Sequence, residues 1–511
     1  MLVAAALAVA YLIVAPSPAD LAAQTFRADL FSSHGFLIWN NYWYSGHSLP
    51  GYSMLYPPLG ALLGPRVVGA LAAVAAAALF ALIARRRFGD RAAIGIAWFG
   101  AATATNLITG RITFALGLAV ALGALLALQR GRIGWASALA VLTSLASPVA
   151  GLFLAFAAAI AAWVAPSGTR RPGAIVAVAA LVSLVVISHA FPTPGWFPFA
   201  FSAYLPVPLL VAAILVLVPR EERWLRQGAI AYGVMCTVLW LAQTPVGANA
   251  ARLGSMFGGP LLALVLVRRR PVALALVAVP LVYWQWVAPV RDFADQAGDP
   301  AVERSYFEPL LAELGRVVHG PVRIEIPPTH DRWEADYVAP TYPLARGWLR
   351  QIEAPDIDLF TGGHLTAASY RRWLDERAVS YVAVPDAKLD YIGVDEAALV
   401  RGGLPYLGPI WRSADWTLYR VRAPAPLVAP VGARMTHVGV ADFSLSARRR
   451  ASYTVRIRYT PYWQVTAGAA CVSRAGGDWT RVEVRRPGPV SVAARLGIDG
   501  VLDRATTSCS G

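Results

Sequence analysis

Eleven apolar runs fill the first 289 residues, near 2–15, 66–84, 91–107, 112–129, 133–146, 149–165, 174–189, 205–218, 229–243, 255–267 and 272–288. Short charged or Pro/Gly-rich breaks separate them. This pattern leaves few folds open. Where water is absent, every backbone N–H and C=O must find a partner inside its own segment, so the runs read as helices of a polytopic membrane bundle. A straight crossing needs about 20 apolar residues. Several runs are shorter, so they extend past these bounds, tilt, or re-enter. Composition agrees: 57% of the chain is hydrophobic and 15% charged, against about 25% charged in ordinary soluble domains. A cytoplasmic globular enzyme is thereby excluded. No basic stretch precedes the first run, which favours a retained span over a cleaved leader.

Charge distribution then orients the bundle. Residues 1–289 hold 18 of the 45 basic residues but only five of the 30 acids. A formal charge of +15 would suggest nucleic acid if it were spread over a soluble surface. Here the excess lies in loops between apolar runs, where arginine marks the cytoplasmic side. Alternate loops carry Arg85-Arg86-Arg87 with Arg91, Arg130 with Arg132, Arg170-Arg171, Arg220 with Arg223 and Arg226, and Arg268-Arg269-Arg270. Only Arg27, Arg66, Arg111 and Arg252 fall on the opposite side. An odd number of spans, about eleven, places residues 290–511 outside the cell, and no nucleic-acid partner is expected.

The remainder reads as two soluble parts. Over 290–425, helical runs such as Ala367–Arg377 alternate with short strands such as Tyr381–Val384 and Trp416–Val421, the pattern of a small α/β unit. Over 426–511, period-two strands at Tyr453–Tyr459, Trp479–Val484 and Val490–Leu496 suggest a β-sandwich. Ala423-Pro424-Ala425-Pro426 reads as the linker between them. Cys236 lies in an apolar run, whereas Cys471 and Cys509 belong to the exported part, where they can form a disulfide or remain as two thiols. There is no phosphate-cradling Gly loop with Lys, no CxxC and no HExxH, and His319, His330, His364 and His437 lack ligand spacing.

Candidate chemistry follows by subtraction. Asp90, Glu221 and Glu222 sit in loops assigned to the cytoplasm, so Asp20 and Asp29 are the acids left on the outer side of the bundle. Both lie in a long outer loop, residues 16–56, which also holds Trp39, Trp43, Tyr44 and His47. A connection of that length is functional or disordered, and this one is too aromatic for disorder. Within it, Leu21–Phe31 has the apolar spacing of a helix lying on the membrane surface. The acids either act as bases or serve as a helix cap and a salt bridge to Arg27. The aromatic residues either stack on a sugar or anchor the loop at the interface. Two more polar clusters face the same side: Thr109-Gly110-Arg111, and Gln243 to Asn249 followed by Arg252. Arg111 and Arg252 run against the positive-inside tendency. They either hold phosphate oxygens or snorkel to lipid head groups.

A first span, an acid just outside it, an aromatic outer loop and the closing Tyr56-Pro57-Pro58-Leu59 resemble GT-C membrane glycosyltransferases. Asp20 and Pro57-Pro58 match the acid and the Pro-Pro pair of that family. The overall arrangement is similar to that of multispanning actinobacterial membrane proteins. The resemblance implies a GT-C-like bundle and transfer of a hexosyl or pentosyl group from a polyprenyl-phosphate donor to an envelope glycan or protein acceptor, on the outer face of the cell membrane. It implies Asp20 and then Asp29 as bases, Arg252, Asn249 and Arg111 at the donor phosphate, and Trp39, Trp43, Tyr44 and His47 toward sugar or acceptor. The family commonly carries two adjacent acids, but here Leu21 follows Asp20. Either Asp29 stands in for the second acid, with a divalent metal ion as cofactor, or no metal binds. A transporter or lipid flippase and a non-catalytic envelope scaffold are the competing classes. The apolar runs contain no acid, which disfavours proton-coupled transport through buried carboxylates.

Overall fold

A computed structural model describes residues 1–497 and Cys509. Residues 498–508 and 510–511 of the expected sandwich domain lie outside the described residues. The chain divides into two compact units: 1–33 with 51–297, and 34–50 with 298–511. The expected boundary at 289/290 therefore moves to 297/298. The long outer loop is shared out, because its middle joins the second unit.

The first unit is helical. Its helices are α1 (Leu2–Val14), α2 (Ala19–His34), α3 (Tyr56–Leu63), α4 (Pro65–Phe88), α5 (Ala93–Ile108), α6 (Ile112–Gln129) and α7 (Ile133–Ala146). They are followed by α8 (Pro148–Val164), α9 (Arg171–Ala190), the short α10 (Phe201–Tyr204), α11 (Pro206–Leu217), α12 (Arg223–Leu241), α13 (Ala251–Leu266) and α14 (Pro271–Gln296). Each of the apolar runs is helical. Among the described residues, five stretches are long and apolar enough to cross a membrane: Pro65–Ile108, Ile112–Gln129, Arg171–Ala190, Gly247–Leu266 and Pro271–Gln296. A sixth counts if α1 and α2, bent by 79°, form one span. The 14 residues of α7 rise roughly 21 Å, short of the ~30 Å hydrocarbon core.

The stretch Pro65–Ile108 is a hairpin. It turns through a 3-10 segment at Gly89–Ala92, and Phe80 on α4 stacks on Phe99 of α5 with ring centroids 4.2 Å apart. Phe257 of α13 packs on the same ring at 5.0 Å. Polar ties join helices where the apolar effect gives no preference between lipid and protein. Gln285 of α14 donates to the Ser255 carbonyl of α13 at 2.8 Å and accepts from the Trp98 indole of α5 at 3.1 Å. These three helices are thereby locked in register.

The second unit contains β1 (Trp39–Asn40) and β2 (His47–Ser48), β3 (Ile324–Glu325), β4 (Tyr381–Pro385), β5 (Leu407–Arg412) and β6 (Trp416–Val421). It continues with β7 (Val428–Ala429), β8 (Ala433–Val438), β9 (Asp442–Ala447), β10 (Ala451–Arg458), β11 (Trp463–Ala467), β12 (Ala470–Arg474), β13 (Trp479–Val484) and β14 (Gly488–Ala494). Strands β3-β4-β6-β5 form one sheet, with β3 parallel to β4 and the other pairs antiparallel. Helix 367–376, with the capping box Thr366/Ser369, and helix 394–401 contribute to its core through Tyr370, Trp373, Leu374, Ala397 and Val400. Two four-stranded antiparallel sheets follow, β12-β13-β10-β7 and β11-β14-β9-β8. Alternate residues of β10 (Tyr453, Val455, Ile457) and β9 (Phe443, Leu445, Ala447) are buried, as strands packed on one face require. Cys471 is bonded to Cys509.

The α/β part buries ion pairs. Arg346 holds Glu325 at 2.5 Å and also contacts Glu396, while Arg332 holds Glu353 at 2.6 Å and Asp390 at 3.4 Å. Burial alone acts to raise the Asp390 carboxyl pKa, but Arg332 and Arg350 outweigh it and hold the pKa well below the carboxylate range.

Candidate active site at one end of the helical unit

The site starts from a corner. Helix α1 ends on Ala15 in a left-handed conformation (φ 48), and the chain turns through Pro16-Ser17-Pro18 into α2. Arg66, in the first turn of α4, clamps this corner: its Nη2 donates to the carbonyls of Ala15 and Pro16 and to Ser17 Oγ, each at 3.0 Å. The Ser17 amide donates to Gln296 Oε1 of α14 at 2.5 Å. Two residues beyond the corner, Asp20 occupies the first turn of α2, where free N–H groups favour a carboxylate.

The turn between α5 and α6 meets it. Asp20 Oδ2 lies 3.5 Å from Arg111 Nε, and both side chains are a little over a quarter exposed (27% and 28%). Gly110 makes the approach possible. Its φ is +71, and a Cβ there would lie 2.5 Å from the Leu21 amide nitrogen. Only glycine lets these backbones come so close. Arg252, in the first turn of α13, is within electrostatic reach of Arg111, Asp20 and Tyr52. Its guanidinium lies over the Phe114 ring at 5.6 Å, and among the described residues no protein carboxylate lies within ion-pairing distance of it. Tyr52 accepts from Gln24 Nε2 at 3.2 Å and stacks under Arg27 at 4.0 Å. Asn249 is buried in the 3-10 turn Gly247–Ala250 that leads into α13.

One carboxylate and one guanidinium thus meet at 3.5 Å, with a second guanidinium in electrostatic range, from segments about 90 and 230 residues apart in sequence. The formal charge of the three is +1. An anion is the complementary ligand, and a phosphate oxygen is the group arginine geometry suits best. A phosphate bound at Arg111 and Arg252 would compete with Asp20 for Arg111, leaving the carboxylate free to accept a proton.

Asp29 is elsewhere. It is exposed on the same helix, nine residues past Asp20, a rise of roughly 13 Å. Metal ligands sit about 2.0–2.6 Å from their ion, so these two carboxylates do not fit one divalent cation, and no step is assigned to a metal here. Among the described residues, the one group with metal-ligand spacing is Cys471, Glu483 and Cys509, whose sulfurs are joined in the disulfide.

The aromatic residues expected to face sugar are instead packed inside the second unit. Trp43 is 0% exposed, donates to the Ala335 carbonyl at 2.9 Å and stacks on His47. Trp39 meets Trp463 edge-on at 5.8 Å. Tyr44, with φ 55, is buried beside Glu353 and Arg332. His47 is 2% exposed, with Nε2 3.1 Å from Asn40 Nδ2 and Nδ1 3.0 Å from the Ser48 carbonyl. The physical reason is backbone tethering. Residues 41–45 exchange main-chain hydrogen bonds with Val440, Leu344 and Arg458, so their large rings become core.

Sequence reasoning missed Tyr52, Gln24, Gln296 and the clamp by Arg66. Arg66 had a signal, since it sits on the arginine-poor side. Gln296, 279 residues from its partner Ser17, had none. No family model matches the chain, and no curated protein matches it either.

Proposed function

We propose that this chain is a membrane glycosyltransferase of GT-C type. It would move a sugar from a polyprenyl-phosphate donor to an envelope glycan or protein acceptor on the outer face of the cell membrane. The observation that carries this reading is the Asp20–Arg111 contact at one end of the helical unit, with Arg252 in electrostatic range of both. Asp20 takes the proton of the acceptor hydroxyl as its oxygen attacks the anomeric carbon. The bond from that carbon to the phosphate oxygen breaks, and the lipid phosphate leaves with the electron pair. Arg252 and Arg111 stabilise that charge. Asn249 lies close enough in sequence to Arg252 to assist at the phosphate.

Sidedness supports the outer location. The basic loops lie at the opposite helix ends from Asp20: Arg85–Arg87 close α4, whose other end carries Arg66. By the positive-inside tendency those loops face the cytoplasm, and about eleven passes then export the second unit.

The test uses membranes containing the full chain and radiolabelled polyprenyl-phosphate sugars. Asp20→Asn is expected to lower transfer at least 100-fold while lipid-phosphate binding persists. Arg252→Gln is expected to lose both. Transfer by D20N at the wild-type rate refutes the reading. Donor translocated without transfer in both proteins would instead indicate a flippase. Neither activity, with unchanged acceptor binding, would indicate a scaffold.

A further inference from the structure

At the end of the helical unit away from Asp20, the C-termini of α4 and α13, the 3-10 turn Gly89–Ala92 and the residue before α12 line an open cavity of about 730 Å3. Four arginines line it, Arg87, Arg91, Arg268 and Arg269, together with the acids Asp90 and Glu222. Glu222 is already satisfied. It accepts from Arg87 at 3.0 Å and from the Trp224 indole at 2.7 Å. That leaves Arg91, Arg268 and Arg269, none with a carboxylate in ion-pairing distance among the described residues, facing one unpaired acid, Asp90.

Gly89 and the apolar Phe88, Leu264, Val265 and Val267 complete the lining. A largely polar cavity with three guanidiniums that lack a carboxylate partner, and with apolar residues in its wall, fits a phosphate-bearing head group whose hydrocarbon part lies outside it. Basic pockets between membrane helices take phosphate-bearing head groups for this reason.

We infer that this cavity binds a phosphate monoester or diester, with the head group of an anionic phospholipid as the fitting source and a soluble phosphate as the other. The inference rests on the helical unit lying in a membrane, and it uses none of the residues assigned to transfer chemistry there. The arginines also serve orientation, but orientation requires no cavity. Arg170-Arg171, equally basic and in another loop, does not line the cavity and is the internal control.

The experiment is native mass spectrometry of the full chain in detergent, titrated with phosphatidylglycerol or phosphatidylcholine. Wild type is expected to retain one phosphatidylglycerol in preference to phosphatidylcholine. The double variant R268Q/R269Q is expected to bind it about tenfold or more weakly, and R170Q/R171Q within about twofold of wild type. Should R268Q/R269Q fail to fold, Arg91→Gln approaches the same cavity from another segment and is expected to weaken retention severalfold. Competition assigns the source. Retention against millimolar inorganic phosphate means a lipid site, and full displacement means a site for the soluble anion. Equal retention of the two lipids with no inorganic phosphate bound, or equal loss in both double variants, overturns the inference.

Discussion

Glu334 offers a quantitative check on the buried charge of the second unit. It lies in the short helix Glu334–Tyr337, is 4% exposed, and accepts a hydrogen bond from Thr329 Oγ1 at 2.5 Å. Burial pushes its pKa up from 4.5 to about 7, with Asp390 adding to the rise and Thr329 and Arg332 opposing it. Each unit corresponds to about 1.4 kcal/mol, so holding this carboxylate ionised costs the fold on the order of 3 kcal/mol. The folded state binds the proton more tightly than the unfolded state does. The stabilisation is therefore complete below about pH 4.5 and is lost as pH rises through about 7. Glu334→Gln keeps an acceptor for Thr329 and removes the ionisation. Relative to wild type, the variant should gain most of those ~3 kcal/mol between pH 5 and pH 8. Hydrogen exchange of segment 324–350, compared at each pH between the two proteins, reads this locally without requiring a two-state chain. If protection of wild type and E334Q stays parallel from pH 5 to pH 8, the reasoning fails, and the carboxylate is either hydrated or fully compensated by Arg332.

Two further outcomes follow from the packing. Gly110→Ala places a Cβ 2.5 Å from the Leu21 amide at a φ of +71. It is expected to displace the first turn of α2, lowering transfer more than tenfold while thermal stability falls by about 1–3 kcal/mol; wild-type transfer by G110A would show that Asp20 needs no such positioning. Trp43→Ala removes a fully buried indole bonded to Ala335 and should destabilise the second unit by about 3–5 kcal/mol. Reduced sugar affinity in a W43A protein whose second unit melts as wild type does would restore the stacking role that burial argues against.

Much of the architecture is legible without coordinates, because it depends on local properties. Lipid solvation acts on each run separately, so eleven apolar runs become helices whatever their neighbours are, and arginine-rich loops collect at one set of helix ends. Period-two patterning in 453–459 and 479–484 is likewise local, and both segments are strands of one sheet. The polar clusters around Asp20, Arg111 and Arg252 could be named by subtraction, since charged residues are scarce on that side.

Only the tertiary structure decided which of those residues meet. Asp20 and Asp29 are alike in the sequence, yet a helical rise separates them, and α2 sends one toward Arg111 and leaves the other exposed. The rings of Trp39, Trp43 and Tyr44 carry an ambiguous signal, because an aromatic loop suits a sugar, an interface or a core equally well. Main-chain bonds to residues some 300–400 positions away made them core. Solvation and helix or strand formation are short-range and additive along the chain, whereas a site is a set of distances between remote segments, and those distances depend on how all the helices pack together.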